Sequence, residues 1–296
     1  MTASIVASLD VVTRRYGNTV ALDGVSLDIA RGELVALLGP NGAGKTTAIS
    51  LWLGLAHADA GRVTLLGGSP FDVAQRRGIG VMMQDVTLTH GMRVHELIEQ
   101  AASYYPDPLS VADAMAMTST AGLASKVYDK LSGGQKRQVQ FALAVVGRPS
   151  VLFLDEPTVG LDVQARESLW SAIRKLRKAG CSILLTTHYL EEAEALADRV
   201  VVLARGRVVA SGSVNEVRSI VSRRKIRCDS ALDERELSQW PGVIKATRDE
   251  GRLTLVTADA EAVLRRLLAS DERLANLEVQ QAGLAEAFVE LTKEAA

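Results

Sequence analysis

The chain has 296 residues, longer than one average domain and long enough for a large domain with a small companion. A formal net charge of −1 and an aromatic content of 4% exclude bulk attraction to nucleic acid or acidic membranes and leave little for base stacking, so no nucleic-acid partner is expected. Cys181 and Cys228 are far apart, lack metal-ligand spacing and read as buried, reduced thiols. Met1 to Gly17 has no basic start followed by an apolar stretch, and no window approaches the ~20 consecutive apolar residues of a membrane span. If the chain acts at a membrane, something else must anchor it.

In chain order, Ser8–Val12 and Val25–Ile29 read as strands with polar interruptions. The run Leu34–Leu38 is apolar throughout, as are Val151–Leu154 and Ile183–Leu185. Such runs are strands buried on both faces, the mark of a parallel sheet covered by helices. Helical patterns at Thr46–Leu55, Ser132–Val146 and Asp162–Ala179 alternate with them, which predicts an α/β fold. Val63–Leu66 and Gly80–Met83 are further short strands; an antiparallel sheet flanking the core would take them together with the first two. Val86–Lys130 is mainly helical but broken by Pro106 and Pro108, and is expected as an inserted helical subdomain.

A boundary is expected near Arg218 to Arg227, with the basic cluster Arg223-Arg224-Lys225 as a solvated face, giving domains 1–218 and 222–296. Beyond it the pattern reads strand Lys225–Cys228, helix Asp233–Gln239, strand Val243–Thr247, turn Glu250–Gly251 and strand Arg252–Val256. Helix Ala260–Leu268, strand Leu277–Gln281 and helix Leu284–Thr292 complete it. The order β-α-β-β-α-β before the last helix suggests a small α+β domain of ferredoxin-like type.

The run Gly39-Pro40-Asn41-Gly42-Ala43-Gly44-Lys45-Thr46 matches GxxxxGK[ST], follows an apolar strand and opens a helix. Its backbone amides and the helix N-terminus form a phosphate cradle, with Thr47 continuing the helix start. Lys45 would reach the β- and γ-phosphates of ATP, and the Thr46 hydroxyl would serve Mg²⁺. The strand Val151–Leu154 ends in Asp155 and Glu156. An Asp here holds the magnesium shell, and the following Glu is placed to take a proton from attacking water.

Leu131-Ser132-Gly133-Gly134-Gln135 lies between the cradle and Asp155. It resembles the signature of ABC-transporter ATPases, with Ser132 also suited to cap a helix. The resemblance covers about residues 5 to 215. It implies a P-loop NTPase core with a mainly parallel sheet, a flanking antiparallel β-subdomain and an inserted helical subdomain. It further implies that Tyr16 stacks on adenine, that Gln84 reaches magnesium and senses a membrane partner, and that His188 is a switch histidine beside the γ-phosphate. Thr158-Val159-Gly160-Leu161-Asp162 then resembles the loop that crosses to a second subunit, with Gly160, Leu161 and Asp162 at the dimer interface. The run Thr187–Glu194 is similar to the branch serving drug, lipid and polymer exporters, as is the small C-terminal domain. His95-Glu96-Leu97 departs from the Glu-Asn-Leu of many relatives on a surface that would face the membrane subunit.

The resemblance implies a head-to-tail dimer around two ATP molecules, in which Ser132, Gly133, Gly134 and Gln135 of one chain complete the site of the other. A separate permease would be driven from the cytoplasmic face of the membrane. An importer subunit and an ABC-type ATPase without a membrane partner are the alternatives. The cargo path would lie in another polypeptide.

Overall fold

The computed structural model describes residues 4–84, 86–220, 224–249, 251–281 and 284–294. They fall into two compact units, one within Met1–Ser213 and one spanning Val214–Glu294.

The first unit opens with two long strands, β1 (Ile5–Tyr16) and β2 (Thr19–Ala30), followed by β3 (Leu34–Leu38), α1 (Lys45–Trp52), β4 (Ala60–Leu65), the single turn α2 (Val73–Arg76) and β5 (Ile79–Met82). Helices α3 (Val94–Ala102) and α4 (Val111–Met117) come next, with Pro106 and Pro108 between them, and then α5 (Gly133–Val145). The unit closes with β6 (Val151–Asp155), α6 (Val163–Lys178), β7 (Ser182–Thr187), α7 (Leu190–Leu196), β8 (Arg199–Ala204) and β9 (Arg207–Gly212).

Two sheets result. The core sheet has the order β5-β6-β7-β3-β8-β9, parallel except for β9. The other is antiparallel, in the order β2-β1-β4. Successive side chains on a strand point to opposite faces, so the all-apolar runs feed two cores at once. Val35, Leu37, Val151, Phe153 and Leu184 face the core shared with the antiparallel sheet and α1, where Trp52 stacks on Phe153 at 5.7 Å. Leu34, Leu152, Leu154, Ile183 and Leu185 face the core built with α5 and α6. A third core, with Val94, Ile98, Met115, Tyr128, Val139 and Val146, holds the helical insert together.

The expected fold class stands, with one correction. Gly80–Met83 belongs to the core sheet and not to the antiparallel one: β5 pairs in parallel with β6, from Ile79 opposite Val151 to Met82 opposite Leu154. A four-residue strand carries no alternation long enough to distinguish the two sheets.

The second unit comprises α8 (Val214–Ile220), β10 (Arg224–Asp229), α9 (Glu234–Leu237), β11 (Val243–Asp249), β12 (Arg252–Thr257), α10 (Ala260–Ser270), β13 (Ala275–Gln281) and α11 (Leu284–Glu294). Its sheet has the order β11-β12-β10-β13 with every pair antiparallel. Ile226, Cys228, Trp240, Leu253, Leu255 and Val263 form its core. The division between the units falls at Ser213/Val214 because α8 packs against α11. Residues 221–223, including Arg223 of the basic cluster, and Glu250 of the expected turn lie outside the described residues. Both cysteines are free and buried, and burial pushes the Cys181 thiol up to about 12, as inert thiols require.

Candidate active site

Three neighbouring strands of the core sheet end in register. Leu38 of β3 lies opposite Thr187 of β7, and Thr186 of β7 lies opposite Asp155 of β6. The phosphate loop, Asp155-Glu156 and His188 therefore emerge side by side at the carboxyl edge of a parallel sheet, where such folds bind ligands.

The loop reaches α1 through Gly44, whose φ of 108° only glycine adopts readily. A methyl group placed there would sit 2.4 Å from the Ala21 carbonyl oxygen, so the loop packs against the β1–β2 hairpin with no room for a side chain. Gly39 and Ala43 are buried, whereas Asn41, Gly42 and Thr46 are exposed and Thr47 half-buried. Lys45 is buried, and its Nζ donates to the carbonyl oxygens of Gly39 (2.7 Å) and Pro40 (3.2 Å). Burial pushes its pKa down, opposed by the nearby carboxylates of Glu156 and Asp155.

Asp155 accepts from Thr46 Oγ1 at 3.1 Å and from Thr186 Oγ1. A hydroxyl and a carboxylate fixed together at a strand end are hard oxygen donors of the kind magnesium takes. Among the described residues no group of three or more His, Cys, Asp or Glu side chains is placed to hold a metal. Magnesium at an NTPase site draws most of its shell from water and phosphate, so a hydroxyl–carboxylate pair of this kind fits it.

Glu156 is buried and has a φ of 49°, an uncommon conformation for a residue with a side chain. Its N–H donates to both the backbone oxygen (3.0 Å) and Oγ1 (3.1 Å) of Thr186. Its carboxylate lies 3.2 Å from His188 Nδ1. His188 is half exposed and its ring lies 4.1 Å from that of Tyr189. Outliers of this kind persist where surrounding bonds over-determine them, as at catalytic positions.

The other expected residues lie on further elements of the first unit. Ser132 caps α5, accepting from Gln135 N–H, while Gln135 Oε1 accepts from Ser132 N–H, both at 3.3 Å. Ser132 and Gly133 are exposed. Gly134 lies against the Gly160–Leu161 segment, where a methyl group would meet Gly160 O and Leu161 Cδ2 at 3.5 Å. Asp162 caps α6 by accepting from Ala165 N–H at 2.8 Å. Tyr16 is exposed at the end of β1, with the Arg14 guanidinium 4.6 Å above its ring. Gln84 is exposed just past β5, beside a cleft with Asp129, Lys136 and Gln140. Among the described residues no hydrogen bond joins Gln84 to Thr46 or Asp155.

Sequence reasoning missed three buried side chains here. Thr186 secures both acids. Arg137 reaches from α5 to the Glu156 backbone. Glu192 on α7 accepts from Trp170 Nε1 (3.1 Å) and Thr158 Oγ1 (3.3 Å). Thr186 and Glu192 lie within four residues of His188, but nothing in their spacing marks them as partners of β6 and α6.

A phosphate loop, a hydroxyl–carboxylate pair and a clamped glutamate at adjacent strand ends define a P-loop nucleoside-triphosphate hydrolase. The ABC transporter family profile matches residues 22–159. The chain is 42% identical over 209 residues to the Nod factor export ATP-binding protein I of Burkholderia orbicola, covering 68% of this chain and 69% of that one. It is 36% identical over 280 residues to the daunorubicin resistance ATP-binding protein DrrA3 of Streptomyces coeruleorubidus, covering 90% and 84%. The dimeric post-hydrolysis structure of the ATP-binding cassette MJ0796 with ADP and Pi is similar with a TM-score of 0.64, at 25% identity, over 70% of this chain and 98% of that one. The chain belongs to the ABC transporter ATP-binding family and is an ATPase.

Proposed function

We propose that the chain drives an exporter through a separate membrane permease, with two copies closing around two ATP molecules. The carrying observation is the convergence of Lys45, Thr46–Asp155 and Glu156–His188 at one sheet edge, while the signature helix α5 presents Ser132 and Gly133 to solvent on the same chain. An N-terminus of this kind is an anion site, and exposed as it is it suits a phosphate held by another copy. Gly160 and Leu161, packed against Gly134, then lie at the dimer interface together with Asp162. The names of the relatives, Nod factor export and daunorubicin resistance, support export as the direction.

Within each composite site Lys45 and the loop amides neutralise the β- and γ-phosphates. Glu156 accepts a proton from the attacking water, and His188 holds the carboxylate toward the γ-phosphate. Thr46 and Asp155 would hold Mg²⁺, with Gln84 as a further oxygen donor, and the ion would supply positive charge to offset that of the phosphates. Tyr16 offers its ring to adenine. Hydrolysis removes the contacts that close the dimer, and that opening is the mechanical output. No helix among the described residues is long and apolar enough to cross a membrane; the transporter relatives support a peripheral subunit on the cytoplasmic face. The second unit, with its β-α-β-β-α-β order, is read as a ferredoxin-like accessory domain.

The test is light scattering on the purified full chain carrying Glu156→Gln, with and without ATP and Mg²⁺, followed by capture from membranes. An ATP-dependent dimer that retains a membrane protein supports the reading. A chain that stays monomeric with ATP and leaves membranes empty-handed overturns it.

A further inference from the structure

Arg137 is a buried cation in the second turn of α5, the helix that begins at the signature residues. Its Nη2 donates to the Glu156 backbone oxygen at 3.1 Å. Its Nη1 donates to the Met83 backbone oxygen at 2.9 Å and to Gln140 Oε1 at 3.3 Å. Gln140 in turn donates to the Tyr128 hydroxyl at 3.1 Å, tying the fork into the core of the helical insert. Met83 immediately precedes Gln84. One guanidinium thus bonds the main chain at Glu156, the proposed base, and at Met83, the residue before Gln84, and these two carbonyls follow different strands.

The position of Glu156 makes this consequential. Its φ of 49° needs support from outside. On the amide side the support is Thr186, which takes the Glu156 N–H. On the carbonyl side it is Arg137. Rotation of either peptide group would swing the carboxylate away from His188. The planar guanidinium holds its nitrogens in a fixed fork, so it fixes the two carbonyls relative to each other as well as to α5.

We propose that Arg137 is a positioning residue for hydrolysis, holding the Glu156 and Met83–Gln84 main chains in register with the signature helix. It does not touch nucleotide. It acts through Glu156, and so rests on the reading of Glu156 as the base.

The test is a double-mutant cycle on the full-length chain with Arg137→Lys and Glu156→Gln. Lysine keeps the charge but, as a point donor, cannot bridge two carbonyls in fixed geometry. Arg137→Lys should lower kcat on the order of 10²-fold, as misplacement of a reacting group does, with affinity for a fluorescent ATP analogue and the melting temperature close to native. In the Glu156→Gln background it should cause no further fall in the residual rate, because the group it positions is already gone. Native kcat in Arg137→Lys overturns the proposal. So does a second loss of the same factor in the Glu156→Gln background, or a parallel fall of affinity and melting temperature, which marks a packing role alone. Native turnover in Glu156→Gln alone is a separate result: it removes the base assignment, and this inference with it.

Discussion

His188 Nδ1 lies 3.2 Å from the Glu156 carboxylate, although the two residues follow different strands of the core sheet. Their meeting follows from the register of β6 and β7. A base at this position should fail when its charge is removed and its shape kept. Glu156→Gln is therefore expected to bind ATP normally and to release phosphate about 10²–10⁴-fold more slowly, the usual cost of losing a general base. Phosphate release near the native rate would rule out the assignment.

Lys45 presents the contrasting case. It is the only charged side chain between Gly39 and Thr46, and its ammonium sits inside the loop on two carbonyl oxygens. A charged hydrogen bond contributes about 1.5–3 kcal/mol, so Lys45→Ala should weaken nucleotide affinity about 10- to 100-fold. Titration of a fluorescent ATP analogue measures it, and unchanged affinity would count against the cradle.

The composite site can be tested by complementation. Lys45 and Ser132 belong to one chain but would serve different ATP molecules. A side chain at Gly134 meets Gly160 O and Leu161 at 3.5 Å, an ordinary contact, so Gly134→Asp should fold while its carboxylate repels phosphate. Homodimers of Lys45→Ala or of Gly134→Asp should both be inactive. Mixed dimers place both lesions in one site, and recovery to roughly half the native rate is expected if the sites act independently. Disulfide formation between cysteines at Ser132 and in the phosphate loop checks the geometry; crosslinks confined to single chains would refute it.

Glu192 gives a stability prediction. Burial pushes its pKa above the ordinary value of 4.5, with the bonds from Thr187, Trp170 and Thr158 and the charge of Arg166 opposing the rise. The folded state then binds the proton more tightly than the unfolded state does. The stability this contributes is full below the unfolded pKa and is lost as pH rises through the folded one. Glu192→Gln cannot titrate, so its melting temperature relative to native should rise between pH 4 and pH 7. A difference that is flat or falls over that range would contradict the shift.

The chemistry was legible in the sequence where it depends on contiguous residues. The phosphate loop needs adjacent amides and a helix start, so Gly39–Thr46 must be consecutive. Asp155 and Glu156 need only the end of one apolar strand. Strands buried on both faces left continuous apolar runs, which is why β3, β6 and β7 could be placed, whereas the four-residue β5 could not be assigned to its sheet.

Residues joined only by folding left no such trace. Thr186 bonds Asp155 because β7 lies between β3 and β6, an order the chain does not encode by proximity. Arg137 reads as one more cation on a polar helix until α5 is packed against the ends of β5 and β6, and Glu192 reads as one acid among several in Glu191–Glu194 until Trp170 and Thr158 enclose it. By itself the sequence determined which groups are proposed to meet ATP, because a phosphate cradle is a local backbone structure. Only the tertiary structure decided what aims those groups, because a side chain's partners across a sheet are set by strand order and register.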